Sequence, residues 1–262
     1  MPLSDYTAET FTHDGKERQV FRRGSGPAVV VIAEIPGITP AVLAFADRVV
    51  ELGCTAVLPH LFGEPGADIT PVAALRSIVP ACVSREFAVL ATGTTSPVAE
   101  WLRALGRHEH ERCGGPGIGA VGMCFTGGFA LAMMVDPVLL APVLSQPSLP
   151  FGITPKQRRS LGISDDDLAV VKERAADGVC VLGLRFTGDM AVPPDRFARL
   201  RDELGDAFVG VEIDSGKGNA FGIPRTAHSV LTEHLVDEPG HPTRDALDQV
   251  LALFRDRLLT PA

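Results

Sequence analysis

The stretch IGAVGMCFTGGFALA, residues 118–132, decides the fold of this chain. A short apolar run leads into Gly-x-Cys, and a pair of glycines opens a second apolar segment, an order that predicts strand, sharp turn and helix. The two backbones approach closely at such a turn, and the small residues Gly122, Gly127 and Gly128 permit this approach. Cys124 lies at the tip, where the free N–H groups of the helix start favour a negative charge. We predict that Cys124 is an activated thiol; the alternative is a buried core cysteine.

Length and composition are those of an ordinary globular protein. The chain has 262 residues, of which 45% are hydrophobic and 21% are charged. A chain of this length can bury a large core, and α/β folds of this size often form one domain. We therefore expect a single domain over residues 1–262.

The charge balance and the cysteine count argue against several classes of protein. The net charge is -8, and the chain lacks the lysine and arginine clusters that bind nucleic acid. Its amino-terminal segment is polar and acidic, and nowhere do about 18 apolar residues run together as a membrane span requires. Five cysteines without paired spacing predict neither a disulfide framework nor a zinc site. We expect a cytoplasmic protein, monomeric or a small homo-oligomer, that holds no metal.

Apolar β-branched runs alternate with helical patterns along the chain, which predicts an α/β fold. Asp14-Gly15 is a hairpin-turn signal, so we expect one antiparallel edge. The strand–helix–strand alternation elsewhere implies right-handed crossovers and a mostly parallel central sheet with helices on both faces. Besides the elbow, strands are predicted at residues 28–33, 54–58, 138–144, 179–186 and 207–213, and helices at residues 39–52, 71–85, 96–112, 164–176 and 243–259, with a further helix ending at residue 204.

Reactive side chains follow several of these strands. Functional groups in open α/β sheets lie at the carboxyl ends of the strands, where this chain places Cys124, Asp189 and His228. His228 would take the thiol proton and later protonate a leaving oxygen, while Asp189 would fix its tautomer and stabilise the imidazolium. Taken singly, this aspartate and this histidine could each be a surface residue of a loop. The remaining histidines in polar surroundings are expected to be solvated: His13, His108, His110, His234 and His241.

Four segments together resemble the dienelactone hydrolase (carboxymethylenebutenolidase) family of the α/β-hydrolase superfamily. They are GMCFTGG at residues 122–128, EIPG at residues 34–37, DMAVP at residues 189–193 and AHS at residues 227–229. The order nucleophile, acid, histidine is that of α/β-hydrolases. The resemblance implies a cofactor-free Cys–His–Asp triad that hydrolyses an enol-lactone ester. It assigns the triad to Cys124, His228 and Asp189, and to Glu34 the role of holding the thiol proton in the resting state.

Two further groups complete the expected site. Glu34 ends an apolar run, and a buried carboxylate needs a partner, so we expect the Cys124 thiol or an arginine beside it. The alternative is a salt bridge at the strand end. The backbone N–H groups of Ile35 and Phe125 are the candidate oxyanion hole, since one follows the nucleophile and the other lies on the loop of the neighbouring strand.

The sequence departs from the family pattern at two positions. Thr126 stands where the motif has the first glycine of its pair, and Thr232 stands where the family has an arginine that binds the substrate carboxylate. Arg85 or Arg225 could take the place of that arginine, although each could equally be an ordinary surface residue. Two other candidates for the pocket are His60, for which a structural role in its loop is the alternative, and an insertion at the pocket rim, residues 145–176.

The sequence leaves two other functions to be weighed. Residues 117–122 match Gly-x-Gly-x-x-Gly, but a dinucleotide site needs a strand before the motif, whereas here the strand is the motif itself. A hydrolase fold without turnover, acting as a binding module or thiol sensor, is the second alternative. A serine esterase is excluded at the elbow because no Gly-x-Ser-x-Gly occurs. The sequence favours a cysteine-dependent hydrolase of small esters or lactones.

Overall fold

The computed structural model describes residues 2–68, 96–148 and 154–260. Within these ranges one sheet of eight strands runs through the molecule in the order β1-β2-β4-β3-β5-β6-β7-β8. The strands are β1 Thr7–His13, β2 Lys16–Gly24, β3 Ala28–Ile32, β4 Thr55–Pro59, β5 Ile118–Met123, β6 Leu139–Ser145, β7 Val181–Phe186 and β8 Phe208–Ile213. All pairings from β4 to β8 are parallel, whereas β2 pairs antiparallel with both β1 and β4.

The helices of the described ranges begin where the sequence carries capping signals. Thr39, Ser96 and Ser164 each accept a hydrogen bond from a backbone N–H of the first turn, which satisfies a group that the helix itself leaves free. The helices are α1 Pro40–Glu51, α2 Pro97–Cys113, α3 Gly127–Met133, α4 Pro155–Arg159, α5 Asp165–Ala176, α6 Pro194–Leu204 and α7 Pro242–Phe254. The helix predicted at residues 71–85 lies outside the described residues.

The amino-terminal hairpin forms as its turn residues predict. Asp14 and Gly15 have φ angles of 47° and 69°, the left-handed pair that a two-residue hairpin turn of type I′ requires. The register then runs without interruption from His13 opposite Lys16 to Thr7 opposite Arg22. The hairpin gives the parallel sheet an antiparallel edge.

Apolar side chains cover both faces of the sheet. On one face, Trp101 of α2 and Phe129 of α3 pack with residues of α5 and α6, and on the other, Phe45 of α1 packs with Val250 and Phe254 of α7. Strands buried on both sides explain the continuous apolar runs of the sequence. The expected α/β architecture, a mostly parallel sheet with helices on both faces, is confirmed.

The segment 145–176 contains two different kinds of structure. Its second half is α5, which buries Leu168, Val171 and Ala175 in the core cluster of one sheet face. This half therefore covers one face of the sheet. The first half of the segment stays the candidate for the pocket rim. Of the helices described, none combines the length and the apolar character needed to cross a bilayer.

Candidate active site

Cys124 lies at the tip of the turn between β5 and α3, with a φ angle of 55°. The neighbouring glycines are there because the chain passes too close for a side chain. A Cβ atom at Gly122 would lie 2.2 Å from the carbonyl oxygen of Thr126, and one at Gly127 would lie 2.5 Å from Cα of Pro147. The stretch thus folds as the strand, sharp turn and helix that the sequence predicts.

Thr126, the departure from the glycine pair, ties the turn to the neighbouring strand. Its side-chain oxygen accepts a hydrogen bond from the Met123 N–H at 2.9 Å and lies 2.8 Å from the carbonyl oxygen of Ile32. Thr126 is fully buried, so this hydroxyl fastens the end of β5 to the end of β3. The elbow therefore makes use of the threonine.

The structure brings the three residues of the predicted triad together. Nδ1 of His228 lies 2.6 Å from Oδ2 of Asp189, whose other oxygen accepts a hydrogen bond from the Ala191 N–H at 2.9 Å. The Cys124 side chain interacts with the same histidine. Asp189 is buried, so its carboxylate is shielded from water and its hydrogen bonds hold the ring in one orientation.

The charges around His228 favour its protonated form. Burial by itself lowers the pKa of His228, but hydrogen bonding to Asp189 and to Cys124, and the charges of these two groups, raise the pKa from 6.5 to about 11. The interactions with Asp189 and Cys124 thus outweigh the cost of burying the charged ring. A ring that binds a proton this readily is suited to act as the base for a neighbouring thiol.

Glu34 lies at the carboxyl end of β3, but its partners differ from those expected. Its carboxylate accepts hydrogen bonds from Ser229 Oγ at 2.5 Å, from Gln146 Nε2 at 3.2 Å and from the Thr232 hydroxyl. Among the described residues, the expectation of a Cys124 or arginine partner is therefore wrong. The physical reason is that three neutral donors already satisfy this buried carboxylate. Thr232, at the position of the family arginine, is one of them.

Two residues that the sequence analysis missed, Gln146 and Ser148, lie in the segment after β6. Ser148 Oγ lies 3.2 Å from the Cys124 sulfur, and the Ser148 N–H donates to the Cys124 carbonyl oxygen at 2.9 Å. Gln146 has a φ angle of 35°, is fully buried and joins Glu34 to the Val230 N–H. The feature of the sequence that could have pointed to these two residues is their position directly after a predicted parallel strand.

His234 was expected to be solvated, and this expectation is wrong. The side chain is half-buried against Phe186, and Nδ1 lies 3.3 Å from the Ser229 nitrogen, whose N–H it accepts. Burial, followed by the charge of His228, lowers the pKa of His234. Its ring therefore serves as a neutral acceptor within the loop that carries His228.

The candidate oxyanion hole consists of the backbone N–H groups of Ile35 and Phe125. These two residues lie on the two segments that Thr126 joins. Ile35 follows β3 by three residues and Phe125 follows Cys124, and the Thr126 hydroxyl contacts the carbonyl of Ile32 directly. Ile35 is half-buried and Phe125 is buried. Their backbone N–H groups remain the predicted donors to an oxyanion.

The remaining substrate-binding candidates take different positions. Arg225 is exposed, and its side chain passes the backbone just before Asp189, since a Cβ at Gly188 would lie 3.0 Å from Arg225 Cγ. A ring nitrogen of His60 lies 3.0 Å from the carbonyl oxygen of Gly63, which is a contact within its own loop. Arg85 lies outside the described residues.

The glycines of residues 117–122 serve packing within the sheet and around it. A Cβ at Gly117 would lie 2.5 Å from the carbonyl oxygen of Val138, and a Cβ at Gly119 would lie 3.0 Å from the ring of Phe254. Residues 118–123 are themselves β5, and the helix begins only after Cys124. This arrangement differs from a dinucleotide-binding turn, in which the glycines follow the strand.

Comparison with solved structures shows that the chain has the α/β-hydrolase fold. A dienelactone hydrolase-like promiscuous phosphotriesterase from metagenomic libraries matches with a TM-score of 0.61 and 16% identity, over 97% of this chain and 99% of the other. A cold-adapted esterase from an Arctic intertidal metagenomic library matches with a TM-score of 0.58 and 15% identity, over 97% of this chain and 94% of the other. Identities this low establish the α/β-hydrolase fold alone.

The sequence itself identifies the family. Comparison with curated protein sequences finds no significant match. The model of the dienelactone hydrolase family, however, matches residues 18–157, which is more than half of the chain and includes the elbow. On that match, and in agreement with the fold and the family resemblance of the elbow, the chain belongs to the dienelactone hydrolase family.

Proposed function

We propose that this protein is a cysteine-dependent hydrolase of small carboxylic esters or lactones. The observation that carries the proposal is the position of the His228 ring, which contacts Asp189 at 2.6 Å and interacts with Cys124 at the elbow. This position supports the roles of nucleophile, base and orienting acid that acyl transfer needs.

The first half of the reaction transfers the acyl group to sulfur. The proton of the Cys124 thiol goes to Nε2 of His228, and a sulfur electron pair attacks the carbonyl carbon of the ester. The carbonyl oxygen becomes an oxyanion, which the N–H groups of Ile35 and Phe125 would stabilise. The bond to the leaving oxygen then breaks, and His228 donates its proton to that oxygen, which leaves a thioester on Cys124.

Water completes the reaction. His228, now neutral, takes a proton from a water molecule, whose oxygen attacks the thioester carbonyl. The carbon–sulfur bond breaks, the carboxylic acid leaves, and the proton held by His228 returns to sulfur. Throughout, Asp189 keeps Nδ1 of His228 protonated, so that Nε2 is the atom that exchanges protons.

The neutral residue at position 232 affects which substrates we expect the protein to prefer. Thr232 donates its hydroxyl hydrogen to Glu34, so this position supplies no positive charge to a substrate carboxylate. We therefore expect weaker discrimination in favour of acidic lactones than an arginine at this position would give. A neutral ester and a dienelactone carboxylate are the informative pair of substrates.

The test compares hydrolysis of p-nitrophenyl acetate and of a dienelactone by the wild type and by Cys124→Ala. We expect the variant to lose at least about a thousandfold in kcat/KM on every substrate that the wild type hydrolyses, because the nucleophile is gone. Turnover that survives in Cys124→Ala would disprove the thiol mechanism. Reversible oxidation of Cys124 in a wild type without ester turnover would instead favour a thiol sensor.

A further inference from the structure

The Cys124 sulfur has a hydroxyl beside it that the triad does not account for. Ser148 Oγ lies 3.2 Å from Sγ, and the Ser148 side chain is buried. The same residue is bound to the elbow a second time, because its N–H donates to the Cys124 carbonyl oxygen at 2.9 Å. The Ser148 hydroxyl therefore reaches the Cys124 sulfur from a backbone that is itself hydrogen-bonded to the Cys124 backbone.

Packing holds Ser148 in this position from two other sides. Pro147 presses against the elbow helix at Gly127, where any side chain would clash with it. The carbonyl oxygen of Pro147 accepts a hydrogen bond at 2.5 Å from Nη1 of Arg196, a buried residue of α6. Because Pro147 is held both by its packing against Gly127 and by the hydrogen bond from Arg196, the hydroxyl of the adjacent Ser148 is oriented before any substrate arrives.

The chemistry of the sulfur determines which way this hydrogen bond runs. While Cys124 is a thiol, either group can donate to the other. Once the proton has moved to His228, the sulfur can only accept, so Ser148 must donate. A hydrogen bond to the charged form of a group favours that form.

Glu34 is not placed to perform this task. Its two carboxylate oxygens accept hydrogen bonds from Gln146, Ser229 and Thr232. Two of these donors belong to the loop of His228. The carboxylate is thus directed towards the histidine loop, whereas Ser148 is the hydroxyl beside the sulfur.

We propose that Ser148 is a further catalytic residue, which donates a hydrogen bond to the Cys124 thiolate and stabilises it in the free enzyme, while Glu34 anchors the histidine loop. The inference rests on the proposed function for the use of this thiolate in acyl transfer. Its two consequences are a larger fraction of thiolate at neutral pH and a thiolate of slightly lower intrinsic reactivity.

The experiment measures the rate of alkylation of Cys124 by iodoacetamide against pH, in the full-length protein. In Ser148→Ala we expect the midpoint of the profile to rise by about one pH unit, the effect of losing one hydrogen bond to a charged group. Below the midpoint, alkylation should slow roughly tenfold, and at high pH the plateau should not fall. A merely loosened site would not show this combination.

Four variants make the assignment specific. Ser148→Gly should behave like Ser148→Ala, and Ser148→Thr, which keeps the hydroxyl, should restore the wild-type midpoint. Ser160→Ala is the matched control, since this serine lines the same cavity as Ser148 and its hydroxyl accepts a hydrogen bond from the Gly162 N–H. Glu34→Gln should not raise the midpoint. Thermal unfolding of each variant establishes that it is folded.

Two outcomes would overturn the proposal. One is an unshifted midpoint in folded Ser148→Ala or Ser148→Gly, and the other is a raised midpoint in Glu34→Gln alone. The other four cysteines require identification of the alkylated residue by peptide mass. The fate of the proposed function is decided separately, by hydrolysis in Cys124→Ala, so the two failures are distinguishable.

Discussion

Cys124 has a backbone conformation that residues with side chains seldom adopt. Its φ angle of 55° belongs to the left-handed region, which costs a residue other than glycine roughly 1–2 kcal/mol. The turn imposes this angle, because Gly122 and Gly127 allow the strand and the helix to close tightly around it. The conformation exposes the sulfur to His228 and Ser148, so stability is given up at the residue that we propose as the nucleophile.

A pair of variants measures this strain. Both Cys124→Gly and Cys124→Ala remove the sulfur, but only glycine adopts the left-handed conformation without steric cost. We expect the free energy of unfolding of Cys124→Gly to exceed that of Cys124→Ala by about 1 kcal/mol, measured in urea. Equal stability of the two, or greater stability of the alanine variant, would show that the turn does not strain the residue.

At the scale of elements, the loop of His228 depends on contacts from outside itself. The loop joins β8 to α7, and its backbone is held by side chains rather than by a helix or a sheet. Glu34 accepts from Ser229 and Thr232, and Gln146 accepts from the Val230 N–H. The loop thereby links the ends of β3 and β6, which is how a residue far along the chain comes to lie over the elbow.

The histidine within this loop makes its stability depend on pH. His234 accepts the Ser229 N–H through Nδ1, and its pKa is lowered first by burial and then by the charge of His228, while Glu34 and Asp189 oppose the shift. A base whose folded-state pKa lies below the unfolded value of 6.5 takes up protons more readily when unfolded. Its contribution to stability is therefore complete above 6.5 and is lost as the pH falls through the folded-state pKa.

We expect acidification to lower the melting temperature of the wild type more than that of His234→Asn. Asparagine can offer an oxygen near the position of Nδ1 but has no proton to gain in this range. The measurement is Tm above and below the ordinary pKa of histidine. His234→Leu removes the acceptor for the Ser229 N–H, so we also expect this variant to lose hydrolytic activity. The same acid-induced drop in Tm for the wild type and His234→Asn would contradict this account.

For the whole molecule, buried charges join the hairpin to the helical layer. Arg22 of β2 contacts Glu109 of α2 through two nitrogens, with Nε at 2.8 Å, and Glu109 is fully buried. Glu9 of β1 also contacts Arg22, at 3.2 Å, and pairs at the surface with Arg112. The hairpin also pairs with β4, and this buried ion pair adds a polar contact between β2 and α2.

Removing one member of the buried pair should cost more than removing both. Glu109→Leu leaves the guanidinium of Arg22 without its buried partner, and we expect a loss of roughly 3 kcal/mol in the free energy of unfolding. The double variant Arg22→Met/Glu109→Leu leaves no buried charge and should recover most of that loss. Urea unfolding of the two single variants and the double variant gives the coupling energy, and strict additivity would refute the prediction.

Features with local causes can be predicted from the sequence alone. Asp14 and Gly15 specify the hairpin turn, Thr39 and Pro40 begin a helix, and the glycines around Cys124 specify the elbow, each through the conformational preferences of a few adjacent residues. The order nucleophile, acid, histidine could also be deduced, because the carboxyl ends of parallel strands lie at one edge of the sheet. The fold class and the proposed triad therefore needed no tertiary information.

The partners of the polar side chains around the thiol, in contrast, depend on how the whole chain folds. Glu34 lies 195 positions from Ser229 and 112 from Gln146, and Ser148 lies 24 positions from Cys124. Contacts at such separations depend on strand order and on loop paths, which leave no periodic pattern in the sequence. Burial then selects among possible partners, since each buried polar group must find a donor or an acceptor. The family resemblance placed Glu34 beside the sulfur, whereas Ser148 lies there, because these long-range contacts are set by the packing of the folded chain.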